Sequence, residues 1–141
     1  MGFDLLGIKP RNKKGEYFRN NIWWWPRLWD FCCHITPEIS ENERNSGHHN
    51  SGLVINDWKH QALIENLNQA LRDKGKFNEW IRNSEEHYRN ISHWSGKIFG
   101  VLEGLDNKAK VMPQKPRYHF DWSNVEEFFE FLTNNEGFQI C

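Results

Sequence analysis

The sequence predicts a small, mainly α single domain over residues 1–141, with minor strands at its termini, a helix hairpin and a Trp/Phe-rich core. Three observations predict it. A chain of 141 residues is the length of one domain, and a domain of that size buries about 70% of the surface its unfolded chain exposes. Apolar residues recur at the 3.6-residue period in several separate segments. The apolar content is weighted toward rings, with eight Trp and ten Phe in a chain whose hydrophobic share is only 38%.

Taken in order, residues 3–8 read as a short strand or extended arm. Residues 9–15 form a polar loop punctuated by Pro10 and Gly15. The period then fits a helix over 23–35, with Pro26 in the first turn, where its missing N–H costs nothing. Leu28, Trp29, Cys32 and Cys33 share one face, Ile35 lies near its edge, and Thr36-Pro37 ends the helix. Residues 36–52 are hydrophilic, and Gly47 and Gly52 bracket His48-His49-Asn50-Ser51, which predicts a loop with unusual backbone angles. Asn56 is placed to cap the next helix and Asp57 to favour its positive end. Trp58, Ala62, Leu63, Leu67, Ala70 and Leu71 make its apolar stripe, and Gly75 stops it. A further helix over 77–88 turns Phe77, Trp80, Ile81, Ser84 and Tyr88 inward, and the short connection predicts an antiparallel hairpin.

Residues 98–102 read as a strand and 104–116 as a loop rich in Lys, Pro and Asp. Tyr118-His119-Phe120 is an extended lead-in to the last helix, whose start carries a Ser123/Glu126 capping box. Val125, Phe128, Phe129 and Leu132 are its buried stripe, with Phe131 alongside. Asn134, Asn135 and Gly137 stop it, and 138–140 is extended.

The bulk numbers exclude several function classes. A net charge of −1 from 18 basic and 19 acidic residues gives no global pull toward nucleic acid or an anionic membrane. No stretch approaches the roughly 20 apolar residues of a membrane span. An early Asp4 and the lack of a basic leader argue against a signal peptide. Three Cys, two of them adjacent, make a poor disulfide framework, so a cytoplasmic location is expected. There is no phosphate-binding glycine loop, no G-x-S-x-G elbow, no H-E-x-x-H and no dinucleotide fingerprint, and nothing in the residues calls for a cofactor.

Three constellations remain. Arg19-Asn20-Asn21 runs into Trp23-Trp24-Trp25. An Arg fork suits phosphate or carboxylate, Asn suits base edges or backbone, and Trp suits stacking. The same residues equally build a structural hub of turns and stacked rings. His48-His49-Asn50 is able to bind a metal, or to act as acid and base near neutral pH, or simply to tie a polar loop together. Cys32-Cys33-His34 lacks the spacing of a zinc site and lies at the wrong helix end for an activated thiolate, so its thiols read as core residues.

Residues 15–29, the Gly-His-His-Asn loop at 47–50 and the C-terminal block at 118–141, with its Ser-Asn-Val-Glu-Glu-Phe helix and Gly-Phe-Gln-Ile ending, together resemble a family of small bacterial and phage proteins with no assigned activity. The resemblance covers about half the chain. Members of that family carry Cys-x-x-Cys pairs like those of a zinc ribbon before the C-terminal block. Residues 89–117 here contain no Cys, so a zinc role does not carry over.

These readings converge on a non-enzymatic binding protein whose partner is a host or phage protein. The family resemblance implies an accessory factor or inhibitor of phage or mobile-element origin. Binding of a small ligand or nucleotide is the first alternative, and a metal-dependent nuclease or hydrolase at the His-His-Asn loop the second. One shared site of Arg19, Asn20, Asn21, Trp23, Trp24, His48, His49 and Asn50 is expected.

Overall fold

The structure, a computed structural model, describes residues 2–102 and 118–141, with side chains through Ile91 and from Tyr118. It is a mainly helical α+β domain in which helices cover one face of a four-stranded antiparallel sheet. In chain order the elements are β1 (Gly2–Gly7), α1 (Lys13–Glu16), β2 (Tyr17–Asn21), α2 (Trp25–Ile35), α3 (Glu41–Gly47), β3 (Val54–Asn56) and α4 (Asp57–Arg72). A 3-10 turn (Lys74–Phe77), α5 (Asn78–Leu102), α6 (Trp122–Thr133) and β4 (Gly137–Ile140) follow.

The sheet order is β2-β1-β4-β3. Strand alternation sends Phe3, Leu5, Phe18, Ile55, Phe138 and Ile140 to the helical side, where all are buried. They meet Leu28 and Trp29 of α2, Leu63 and Leu67 of α4, and Val125, Phe128 and Leu132 of α6 in one cluster. Trp25 anchors it, stacked on Phe3 at 5.8 Å and on Trp29 at 5.6 Å and meeting the Phe128 edge at 5.7 Å. Among the described residues no helix covers the opposite face of the sheet, where Tyr17, Leu6 and Val54 are exposed.

The N- and C-terminal blocks meet in a polar joint. Asn135 is buried, lies 3.0 Å from His60 Nε2 through its Oδ1, and donates from Nδ2 to Gly15 O at 3.1 Å. Burial holds the His60 imidazole below the ordinary histidine range, despite the Asn135 contact.

Several elements differ from the sequence reading. The polar stretch before Gly47 contains α3, started by a complete Ser40/Glu43 capping box. Gly47 ends that helix, and only Gly52, at φ 84°, has the unusual angle expected of the pair. The loop over 9–15 holds the short α1, and β2 and β3 are additional strands. Asn56 stands at the cap position of α4 without a capping bond. Trp58 is 62% exposed, because a residue in the first turn projects past the core that its stripe reaches. The α4–α5 hairpin opens at the 3-10 turn. Beyond it α4 packs on α6 and α2, whereas α5 lies on α2, with Trp80 against Phe31 and Arg27 bonded to Ile81 O. The strand expected at 98–102 is the continuation of α5, and the loop over 104–116 lies outside the described residues. Asp121, not Ser123, caps α6, accepting from Ser123 N at 2.8 Å. On α6 it is Phe131 that is buried and Phe129 that is half-buried.

Candidate functional site

The expected single site divides into three places. The loop histidine comes first. His48 caps the C-terminus of α3, and its backbone N–H closes the helix onto Asn45 O. This turns the imidazole back onto α2, where Nε2 lies 2.8 Å from Asp30 Oδ1. Tyr88 of α5 donates its hydroxyl to the other oxygen of the same carboxylate, and Arg44 stands 3.5 Å from Oδ1. Helix α3 and its C-cap, together with α5, thus deliver three donors to one acid on α2. Burial alone pushes the Asp30 carboxyl up; the bonds from His48 and Tyr88 and the charges of His48 and Arg44 outweigh it and hold the group below the usual carboxylate range. Burial and the neighbouring Asp30 drive the Tyr88 hydroxyl well above the ordinary phenol range. The cluster borders a cleft of ≈ 590 Å³, also lined by Cys33, Glu41 and His87. The Cys33 thiol is pushed up to about 12 by burial, so it is an inert wall rather than a nucleophile. His49 is exposed, and Asn50 donates to Gly2 O at 3.3 Å. Among the described residues no three His, Cys, Asp or Glu side chains converge as metal ligands.

Arg19 faces elsewhere. It lies on the uncovered face of the sheet, paired with Asp4 at 3.3 Å, and Tyr17 donates its hydroxyl to the same carboxylate. Its neighbours hold the fold. Asn20 and Asn124 exchange amide bonds at 3.0 and 2.9 Å, tying β2 to α6. Asn21 Oδ1 accepts from Trp23 N and Trp24 N at 2.9 and 3.1 Å, turning the chain into α2.

The third place is aromatic. Trp23 meets Tyr118 edge-on at 5.2 Å and Trp24 lies 5.2 Å from His119, so both are half-buried under the lead-in to α6. Trp25 is wholly in the core.

The sequence reading missed the partners that give these residues their setting. Asp30, Arg44 and Tyr88 come from three separate helices, and no local pattern joins them. The uncovered face was more accessible to inspection. Its register aligns Tyr17, Leu6, Gln139 and Val54 in one row across all four strands. Tyr17 is 48%, Leu6 46% and Val54 41% exposed, and the alternation around Phe18 and Leu5 is a sign of it that the sequence does carry. No helix among the described residues is long and apolar enough to cross a membrane. Comparison of the chain with protein-family models, with curated proteins and with solved structures returns no match.

Proposed function

We propose that this chain is a non-enzymatic binding protein that engages a protein partner through the uncovered face of its sheet. One observation carries the reading. Tyr17, Leu6 and Val54 stand exposed in a single row with Gln139, flanked by the Asp4–Arg19 pair. Apolar side chains grouped on one face and rimmed by charge suit a protein interface better than solvent. The cleft supports catalysis less well. Asp30 is occupied by three donors and held ionised, and no activated nucleophile among the described residues borders it. The family resemblance makes a phage or mobile-element accessory factor or inhibitor the corresponding biological role, with a host protein as partner.

Affinity capture from a bacterial host with the wild-type chain and with the Leu6→Lys/Val54→Lys variant tests the reading. Both positions are exposed, so each substitution changes stability by no more than about 0.5 kcal/mol. A partner held by the wild type and lost by the folded variant is the expected outcome. Equal capture by both rejects the sheet face.

Small-ligand binding is the second reading, favoured by the ≈ 590 Å³ cleft and by Arg44, half of whose side chain stays exposed beside it. On that reading Arg44→Ala abolishes ligand-induced stabilisation and leaves capture of a protein partner intact.

A further inference from the structure

Strand β2 is at one edge of the sheet, and the hydrogen bonds of β1 reveal which of its backbone groups are spent. Asp4 O accepts from Cys141 N, Ile8 N donates to Gly137 O, and Ile8 O accepts from Glu136 N, each at 2.8 Å. Even-numbered residues of β1 therefore turn their backbone toward the β4 side, and odd-numbered ones turn toward β2. The register sets Phe3 opposite Asn20 and Leu5 opposite Phe18. Those pairs form the β1–β2 ladder, and Tyr17 and Arg19 direct their backbone groups outward. Arg19 N–H and Tyr17 C=O have no partner among the described residues, and Arg19 O holds only the side-chain amide of Asn20 at 3.1 Å. An open edge of this kind is a template for another strand.

The charges around the edge differ on its two sides. On the uncovered face Arg19 is already neutralised by Asp4, and the Tyr17 ring lies beside the pair. On the helical side Glu127 follows one turn after Asn124, the residue bonded to Asn20, and Glu16 adjoins the start of β2. Both glutamates are exposed and have no ion-pair partner among the described residues. The neighbouring Lys14 is taken by Glu130. Resting on the protein-binding reading above, we infer that β2 accepts an extended basic segment of the partner as a fifth, antiparallel strand. Its Lys or Arg side chains turn toward Glu16 and Glu127, and its apolar side chains lie beside Tyr17. A second copy of this chain is the poorer occupant, because symmetric pairing of two β2 edges would bring both sets of unpaired glutamates together.

The test uses a capped heptapeptide of alternating Val and Lys, titrated into isotope-labelled protein. In an antiparallel strand, the residues whose N–H groups reach Arg19 and Tyr17 have their side chains on the uncovered face, so here they are the Val residues. Methylating the Val amide nitrogens is expected to abolish binding, and methylating the Lys amide nitrogens to spare it. Bound peptide slows exchange of the Arg19 amide proton, and Glu16→Lys/Glu127→Lys weakens binding about tenfold. The inference is overturned if the two methylated peptides bind alike, or if the methylation pattern reverses, or if the Arg19 amide is unaffected. The two readings fail separately. Leu6→Lys/Val54→Lys decides the sheet face through partner capture, while the methylated peptides decide the edge without any partner.

Discussion

Replacing Gly47 by Ala sets two effects of opposite sign against each other. Gly47 is the last residue of α3, and helix propensity alone favours Ala by up to about 1 kcal/mol. A methyl group there would lie 2.2 Å from Cε2 and Nε1 of Trp29 and 2.5 Å from Cζ2. The ring has nowhere to retreat. It is fully buried, stacked on Trp25 at 5.6 Å and bonded through Nε1 to Arg44 O at 2.9 Å. Moving the backbone instead stretches the 2.8 Å bond from Trp25 Nε1 to Gly47 O. Overpacking costs about 1–3 kcal/mol, and an orphaned buried indole N–H costs about 1–3 more. After the propensity gain of up to about 1 kcal/mol is subtracted, the net loss is about 1–5 kcal/mol, and a mid-range loss of about 3 kcal/mol lowers Tm by about 10 °C for a domain of this size. Thermal and urea unfolding, followed by circular dichroism and Trp fluorescence, measure it. Gly75→Ala is the control, since a methyl group there meets nothing within 4 Å. A Gly47→Ala variant as stable as the wild type would refute the tight joint between the His48 loop and the Trp pair.

Two further outcomes follow from burial and charge. Asp30 has a folded-state pKa below its ordinary value of 3.8, so its contribution to stability is fully present above that value and is lost as pH falls through the lower folded one. Asp30→Asn is expected to destabilise the neutral-pH protein by about 1–3 kcal/mol and to flatten the acid limb of a stability-versus-pH curve; an unchanged acid limb contradicts the assignment. Of the three thiols, exposed Cys141 should react first with iodoacetamide, while buried Cys32 and Cys33 react only on unfolding. Mass spectrometry that finds Cys33 modified in native protein would show the cleft wall to be open.

What the sequence made legible depended on whether the cause was local. The α2 face of Leu28, Trp29, Cys32 and Cys33 and the α6 face of Val125, Phe128 and Leu132 follow the helical period because each stripe faces one core. Helix α3 has no such stripe. Its Glu41–Gly47 span is polar and only Gly47 is buried, so its sole signal was the Ser40/Glu43 box. Strands β2 and β3 are five and three residues long and owe their existence to partners far away in the chain. Phe3 aligns with Asn20 and Ile55 with Phe138 through pairings that no local window contains. Arg19 and His48 separate for a similar reason. Arg19 and His48 were linked by residue type, but strand alternation sends Arg19 to the sheet's open face, while Asp30 draws His48 toward α2.

Residues 15–29, 47–50 and 118–141 form the three sides of one joint. Trp25 and Trp29 of the first segment clasp the second, through the bond to Gly47 O and the ring contact that leaves Gly47 no room for a side chain. The first meets the third at Gly15, where a methyl group would lie 1.9 Å from Asn134 O and where Asn135 holds the carbonyl at 3.1 Å. The second also reaches β1, through Asn50 and Gly2 O. Asn20 and Asn21, which read as recognition residues, are spent on Asn124 and on the turn into α2. These blocks are therefore committed to the clasp. Residues that distinguish a partner are free of that constraint. On the proposed reading they are Tyr17, Leu6 and Val54 on the open face and Glu16 and Glu127 at the β2 edge, none of which closes the clasp. The motif that looks most like a site thus holds the fold together, and the proposed reading assigns specificity to plainer residues that the fold leaves exposed.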